Sequence, residues 1–391
     1  MELPPVTGST TPHPRSFTAL GHELVAAALL DAAWQDAFDA LPRHRFLPDL
    51  VWAQELTLGT SVPIDRTEDP EKWMGASEWE VQLVTQWDDG RHTGTAPGTR
   101  WTSSMSSPLA VASMLSHLKI GPGMRVLEIG TGTGWSSALL AHRLGDANVT
   151  TIEVDQAVAA AARATLEAAG HWPQVICADG ALGHQAGAPY DRVIATCGVR
   201  SLPSAWVAQT RPGGFVLAPW GTHYTDADNL LRLQVQPDGT ARGTFLGPVR
   251  FMKLRSQRLH SRGRPPVSDP GVSCGTTDLP LPDHGICDPF TFTASLRLSH
   301  VTCDTRTQGD VTTLDIASLN DSSWARAVYR GTSNIAVHQH GPRRLWDELE
   351  AVHHWWTAQG EPSWDRYGLT YTPQAQTVWL DHPDNAWPLP R

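Results

Sequence analysis

The chain has 391 residues, of which 40% are hydrophobic and 18% charged, and its formal net charge is −10 at pH 7. This composition predicts a folded protein and argues against wholesale disorder. The acidic balance argues against non-specific nucleic-acid binding, which requires a basic face. The five cysteines, with no CxxC pair, indicate neither a disulfide framework nor a structural zinc site and are typical of a cytoplasmic protein. We therefore expect no nucleic-acid partner and no bound metal.

The first segment, residues 1–16, is polar and rich in proline, and we expect it to be a flexible arm. It lacks the basic flank and apolar core of a signal peptide. The apolar runs near it are too short to span a membrane, so no membrane association is expected. A helix is predicted over residues 17–41, where apolar residues recur every three or four positions. Short strands and loops are predicted over residues 50–105, a stretch that contains several Trp residues.

Strands and helices alternate regularly after residue 107. Predicted strands cover residues 124–129, 149–153, 174–178, 191–196 and 214–219, and predicted helices cover residues 108–118, 135–144, 156–169 and 202–210. Such alternation implies right-handed crossovers and a mainly parallel sheet covered on both faces. The predicted fold class of residues 17–224 is therefore α/β, of the Rossmann-like kind.

The character of the chain changes after residue 224. A hairpin is predicted around a turn at residues 237–239 and another within residues 369–380. Between them we expect a long loop over residues 262–290, a β-rich stretch over 290–316 and a helix over 343–359. These elements predict a C-terminal α+β accessory domain at residues 225–391, of ordinary domain size.

The segment VLEIGTGTGW, residues 126–135, places glycines at every second position after an apolar strand. Gly130, Gly132 and Gly134 allow a tight turn at the carboxyl end of that strand, where open α/β sheets bind ligands. The dinucleotide fingerprint G-x-G-x-x-G fits neither reading frame of this turn. A nicotinamide-dependent oxidoreductase is therefore disfavoured, and the spacing suits S-adenosylmethionine (SAM) instead.

Two acids follow the next predicted strands and support this ligand. Glu153 ends the second strand, where its carboxylate can accept hydrogen bonds from both ribose hydroxyls. Asp179 follows the third strand, where it can accept a hydrogen bond from the adenine amino group. Each acid alone would be an ordinary solvated carboxylate, but together with the turn they predict SAM binding. The predicted cofactor-binding residues are Glu128, Gly130, Thr131, Gly132, Gly134, Glu153, Asp179 and Gly180.

Five segments between about residue 41 and residue 221, a little under half the chain, resemble the protein-L-isoaspartate (D-aspartate) O-methyltransferase family. They are LPRHRFLP at 41–48, SMSSP at 104–108, the glycine turn at 126–135, YDRVIAT at 190–196 and RPGGFVLAPWG at 211–221. The most specific of them is SMSSP, which matches the family's Thr-Ile-Ser-x-Pro segment. Ser106 occupies the position of the family's serine.

The resemblance implies that the SAM methyl group is transferred to a peptide carboxylate. A carboxylic acid with a pKa of about 4 is already ionised at neutral pH, so it requires positioning and no general base. We therefore predict Ser106, Ser107 and Ser104 as the catalytic residues, with hydroxyls and free amides at a helix N-terminus holding the carboxylate. The alternative is a serine-rich loop that contributes one helix cap.

The chain departs from the short family members in its C-terminal region and its Trp-containing stretch. In this it resembles long actinobacterial members associated with ribosomally made, post-translationally modified peptides, such as lanthipeptides, graspetides and lasso peptides. That resemblance implies esterification of an aspartate in a cyclised precursor peptide, which leads to an aspartimide and, after hydrolysis, to isoaspartate. A basic run is a candidate docking site for such a peptide, or else a solvated loop or an intramolecular partner for the protein's own acids. It comprises Arg250, Lys253, Arg255, Arg258, Arg262 and Arg264.

Three hypotheses remain open from the sequence, and each expects a peptide partner or SAM. The first is a methyltransferase that esterifies aspartate in a modified ribosomal peptide. The second is repair of isoaspartyl residues in damaged proteins. The third is a non-catalytic module that binds SAM or a peptide.

Overall fold

The computed structural model describes residues 20–55, 60–259, 272–282, 287–331 and 335–389. The chain divides into two compact units, Met1–Gly180 and Ala181–Arg391. The predicted domain boundary at residues 224–225 lies within the second unit and stays a prediction. No helix within the described residues is long and apolar enough to cross a membrane.

The first unit begins with two short helices, α1 (Leu20–Ala26) and α2 (Gln35–Ala40). The prediction of one continuous helix over 17–41 is wrong, and residues 17–19 lie outside the described residues. The interruption occurs where the Asp31 side chain accepts a hydrogen bond from the Ala33 amide at 2.9 Å. Such a local bond offers the backbone an alternative to the helical pattern.

An antiparallel four-stranded sheet follows. Its elements are β1 (Leu50–Glu55), β2 (Thr60–Asp65), helix α3 (Pro70–Glu78), β3 (Leu83–Trp87) and β4 (Trp101–Met105), and the strand order is β2-β1-β3-β4. The short strands are as predicted, whereas α3 was not predicted. Its start signal is Asp69, which caps the Lys72 amide at 2.9 Å, followed by Pro70 in the first turn.

The rest of the first unit alternates helices with parallel strands. The elements are α4 (Pro108–Leu118), β5 (Val126–Ile129), α5 (Trp135–Leu144), β6 (Val149–Glu153), α6 (Gln156–Ala168) and β7 (Gln174–Cys177). Strand β6 pairs in parallel with both β5 and β7. These six elements confirm the predicted alternation to within two residues at each end.

The second unit contains β8 (Tyr190–Ala195), α7 (Ser204–Ala208), β9 (Thr210–Trp220), β10 (Asp228–Val235), β11 (Ala241–Val249), β12 (Ser273–Thr277), α8 (Pro289–Arg297), β13 (Val301–Gln308), β14 (Val311–Ser318), β15 (Trp324–Tyr329), β16 (Ile335–His340), α9 (Leu345–Ala358), β17 (Tyr367–Tyr371), β18 (Gln376–Leu380) and β19 (Ala386–Pro388). Strands β8 and β9 are parallel, and β10, β11, β17, β18 and β19 continue from β9 in antiparallel order. Both predicted hairpins are confirmed.

A separate antiparallel sheet, ordered β12-β16-β15-β14-β13, packs its apolar face with α8 and α9 around a core that includes Leu314, Val337 and Leu349. Two predictions are corrected here. The predicted loop over 262–290 contains β12 and the start of α8, and its residues 262–271 and 283–286 lie outside the described residues. The predicted β-rich stretch begins with α8, whose residues Phe290–Leu296 are all buried, so no amphipathic period marks it as a helix.

An ion pair is buried in the second unit. The Lys253 ammonium donates to the Asp228 carboxylate, and the two side chains are 6% and 0% exposed. Burial raises the pKa of Asp228 and lowers that of Lys253, although each charge opposes the shift of the other. The pair joins the start of β10 to the segment after β11. Lys253 is therefore an intramolecular partner for one of the protein's own acids, as one alternative for the basic run expects, while Arg262 and Arg264 of that run lie outside the described residues.

We predict that Lys253→Met will lower the free energy of unfolding by about 3–5 kcal/mol, because it leaves the Asp228 carboxylate buried without its partner. The double variant Asp228→Leu/Lys253→Met should recover most of this loss, since an apolar pair of similar volume needs no charge compensation. Urea denaturation of the full chain, followed by circular dichroism, measures both. Equal instability of the single and double variants would contradict this account.

Candidate functional site

The glycines of the turn between β5 and α5 have backbone conformations that residues with a side chain rarely adopt. Gly130, Gly132 and Gly134 have φ values of 100°, 54° and 89°, in the region where a Cβ is strained. The Gly130 and Thr131 amides both donate to the Ile152 carbonyl, at 2.8 and 3.2 Å. A methyl group on Gly134 would lie 3.2 Å from Leu166 Cγ on α6. The turn therefore lies at the carboxyl end of β5, tied to β6, as predicted.

Glu128 lies beneath this turn and is fully buried. Its carboxylate accepts hydrogen bonds from the hydroxyls of Ser136 and Ser137, at the start of α5, and of Thr151 at 2.8 Å. Burial raises the pKa of Glu128, while these three hydroxyls favour its ionised form. The arrangement makes Glu128 a support of the turn. The predicted direct contact of Glu128 with a cofactor stays a prediction.

Glu153 is brought directly to the glycine turn. Its carboxylate accepts one hydrogen bond from the Gly132 amide at 3.0 Å and another from the Asp155 amide at 3.1 Å. The Ala178 amide donates to the Glu153 carbonyl at 3.0 Å, so the end of β7 lies beside the end of β6. Asp179 follows Ala178 and is partly exposed. The turn and the two predicted acids therefore share one edge of the parallel strands.

The N-terminus of α4 differs from its predicted role. Ser107 caps the helix, since its hydroxyl accepts from the Ala110 amide at 3.3 Å and its carbonyl from the Val111 amide at 3.2 Å. The Leu109 amide donates to the Glu80 carboxylate at 2.8 Å. The amides of the first turn are thus already paired. The prediction of free helix amides is therefore wrong for Leu109, Ala110 and Val111, whereas the predicted roles of the three serines stay predictions.

Ser106 retains an available hydroxyl. It is half-buried, and among the described residues its hydroxyl has no hydrogen-bond partner. The hydroxyl of Ser104 accepts a hydrogen bond from the side-chain amide of Gln82 at 3.0 Å. A methyl group on Gly132 would lie 3.5 Å from the Ser104 carbonyl oxygen, so the serine segment borders the glycine turn.

Arg43 was not predicted as a site residue, yet it holds the serine segment in place. This side chain is buried, and its guanidinium donates to four carbonyl oxygens, at 2.9–3.2 Å, on Ser77, Trp79, Val81 and Ser106. Burial lowers the pKa of Arg43 to about 10, and the nearby Glu80 opposes that shift. The signal in the sequence is an arginine inside LPRHRFLP, the segment that resembles the family signature.

Trp135, the last residue of the glycine motif, joins the same structure. Its indole donates to the Leu41 carbonyl at 2.8 Å, and its ring packs edge-on against Phe38 with centroids 5.6 Å apart. The Arg43 guanidinium lies 5.6 Å from the same ring centroid. The signature segment therefore packs against both the glycine turn and the serine segment.

The donor set of this region fits SAM. Acceptors for a ribose and an adenine amino group are present in this region. They are the half-buried Glu153 carboxylate at the end of β6 and the partly exposed Asp179 carboxylate after β7, beside the accessible backbone of the glycine turn. Within the described ranges, no group of three or more His, Cys, Asp and Glu side chains could hold a metal ion.

Comparison with known sequences agrees with this geometry. A family model described as Protein-L-isoaspartate(D-aspartate) O-methyltransferase matches residues 88–259. The protein-L-isoaspartate O-methyltransferase of Methylorubrum extorquens is 31% identical over 232 residues, which are 59% of this chain and 84% of that protein. The enzyme of the same name from Cytophaga hutchinsonii is 35% identical over 151 residues, 39% of this chain and 66% of its own length.

A solved structure of a protein-L-isoaspartate O-methyltransferase aligns with 94% of this chain and 100% of its own, with a TM-score of 0.52 and 19% identity. This likeness confirms the Rossmann-like fold with an additional C-terminal region. Together with the sequence relatives, it leads to one conclusion: the chain belongs to the protein-L-isoaspartate (D-aspartate) O-methyltransferase family and is a SAM-dependent carboxyl methyltransferase.

Proposed function

We propose that this protein methylates the free carboxylate of an isoaspartyl residue in a peptide or protein. The observation that carries the proposal is the available hydroxyl of Ser106, in the segment that matches the family serine and that borders the glycine turn through the Ser104 carbonyl. A hydroxyl can donate one hydrogen bond to a carboxylate oxygen without neutralising its charge. The second oxygen then stays nucleophilic.

The chemistry requires little of the protein beyond orientation. An ionised carboxylate needs no proton removed, so no general base is required. When bound, SAM supplies an electrophilic methyl group on a cationic sulfonium. Ser106 orients the carboxylate, Arg43 fixes the Ser106 backbone, and Glu153 with the glycine turn holds the ligand that donates the methyl group. Holding two reactants in the correct geometry accounts for much of the acceleration in such reactions.

An isoaspartyl substrate is favoured over the aspartate of a modified ribosomal peptide, which was our first hypothesis from the sequence. The relatives are named for isoaspartate. The C-terminal region in which this chain departs from the short family members is no argument against repair, because a solved protein-L-isoaspartate O-methyltransferase shares its fold over nearly the whole chain. The two substrates undergo the same esterification, so the difference lies in recognition alone.

The proposal predicts methyl gain on a short isoaspartyl peptide incubated with the enzyme and SAM. The matched control is the same peptide with an ordinary aspartate, which should gain no mass. Methanol loss should follow on the isoaspartyl peptide, as the neighbouring backbone amide attacks the ester and forms a succinimide. Mass spectrometry over time measures both steps. Methylation of a cyclised precursor peptide with no turnover of the isoaspartyl peptide would overturn the proposal.

Ser106 and Glu153 should affect different steps. We expect Ser106→Ala to lower kcat/KM for the isoaspartyl peptide roughly ten- to hundredfold, the loss of one hydrogen bond to a charged group, with SAM affinity nearly unchanged. Glu153→Ala should mainly weaken SAM binding. Steady-state kinetics and calorimetric titration separate the two effects. An equal loss of turnover and SAM affinity in Ser106→Ala would show that Ser106 is structural.

Arg43→Lys should reduce methyl transfer about tenfold or more, because an ammonium cannot serve four carbonyl acceptors in the fixed geometry of a guanidinium. SAM affinity should change little, since Arg43 contacts no predicted SAM-binding residue. Arg45→Lys is the matched control, because Arg45 is exposed and donates to the Ala168 carbonyl. Wild-type kcat/KM in Arg43→Lys would refute the positioning role.

A further inference from the structure

We propose that Gln86 is a positioning residue that sets the acids of the SAM site and ties them to the loop between β3 and β4. The proposal deepens the function proposed above, because it concerns the same site. It depends on SAM as the ligand and is independent of the peptide substrate. No sequence motif marks Gln86, and its role is visible only in the hydrogen bonds that join the antiparallel sheet to the glycine turn.

Those hydrogen bonds form an unbroken series. The Thr102 hydroxyl on β4 donates to the Gln86 side-chain oxygen at 2.8 Å, and the Gln86 amide nitrogen donates to Asp155 Oδ2 at 3.4 Å. The Asp155 backbone amide then donates to Glu153 Oε1 at 3.1 Å, and Glu153 Oε2 accepts from the Gly132 amide at 3.0 Å. Four bonds thus connect β4 with the turn, and Gln86 is the member that links the sheet to Asp155.

The two oxygens of Asp155 have separate partners. Oδ1 caps α6 by accepting from the Ala157 and Val158 amides at 3.0 and 3.2 Å. Oδ2 faces Gln86. The helix cap fixes one oxygen, and Gln86 fixes the rotation of the carboxylate about it. The Asp155 backbone amide, which orients Glu153, is therefore constrained from both the helix and the sheet.

The loop after β3 is shaped around the Gln86 side chain. Asp88 and Asp89 both have left-handed backbones, with φ values of 51° and 55°, and such residues persist where surrounding contacts hold them. The Asp89 amide donates to the Thr102 hydroxyl at 3.1 Å, the same hydroxyl that donates to Gln86. A methyl group on Gly90 would lie 3.1 Å from the Gln86 amide nitrogen. Gly90 thus leaves room for that nitrogen.

Calorimetric titration of the full chain with S-adenosylhomocysteine tests the proposal. We expect Gln86→Ala to weaken the affinity roughly three- to tenfold, the effect of losing one modest hydrogen bond to a charged group. Gln86→Glu should weaken it further, because it keeps the acceptor for Thr102 but sets a second carboxylate against Asp155. The matched control is Gln54→Ala, which removes a glutamine amide that donates to Ser61 within the same antiparallel sheet. Its affinity should equal that of the wild type.

A double-mutant cycle with Thr102→Val distinguishes this positioning role from a merely structural one. Thr102→Val and Gln86→Ala act through the same amide, so the double variant should bind no more weakly than Gln86→Ala alone. In turnover assays Gln86→Ala should raise the KM for SAM and leave kcat within about twofold.

Wild-type affinity in Gln86→Ala, additive losses in the cycle, or an equal loss in Gln54→Ala would overturn the proposal. Failure to methylate isoaspartyl peptides would overturn the proposed function but leave this titration unaffected. The two failures are therefore distinguishable.

Discussion

The site depends on a buried carboxylate that is satisfied entirely by neutral donors. Among the described residues, Glu128 has no cationic hydrogen-bond partner, and the hydroxyls of Ser136, Ser137 and Thr151 hold it between β5, β6 and α5. A buried charge is tolerated when hydrogen bonds replace its hydration. Because Glu128 lies on β5 and two of its donors lie at the start of α5, the carboxylate joins the two elements that the glycine turn connects. The Glu128 carboxylate thus fixes the glycine turn, which in turn contacts Glu153 and borders the serine segment.

A second buried charge, that of Arg43, holds the segments around Ser106 together. Arg43 draws together the carbonyls of the segment at residues 77–81 and of Ser106, while Glu80 from that segment caps α4. A guanidinium has several donors in a fixed geometry, so it can pair with the carbonyls of several chain segments at once. The segment LPRHRFLP therefore acts through its packing. The Leu41 carbonyl accepts a hydrogen bond from the Trp135 indole, and Arg43 holds the serine segment. Neither residue needs to touch a ligand to influence catalysis.

Much of the fold could be predicted where the determinants are local. The helix over 108–118 is marked by its Ser107 cap and Pro108, and the glycine spacing marks the turn, so these features agree with the structure. The prediction failed where tertiary context decides. Helix α8 is buried on all sides and carries no amphipathic period, and Asp31 interrupts the first predicted helix by a side-chain bond. The roles of Arg43, Glu80 and Gln86 rest on partners 16–69 residues distant, which no local pattern records.

The cap that Glu80 places on α4 has a consequence for recognition. A helix N-terminus usually attracts anions through its partial positive charge, but here a protein carboxylate already occupies it. The Arg43 guanidinium is directed to backbone carbonyls, and Glu80 lies close enough to offset its charge. Under the proposed function, a carboxylate held by Ser106 therefore depends on hydroxyl direction rather than on this guanidinium, and the methylated product, which has lost its charge, leaves behind no attraction to it.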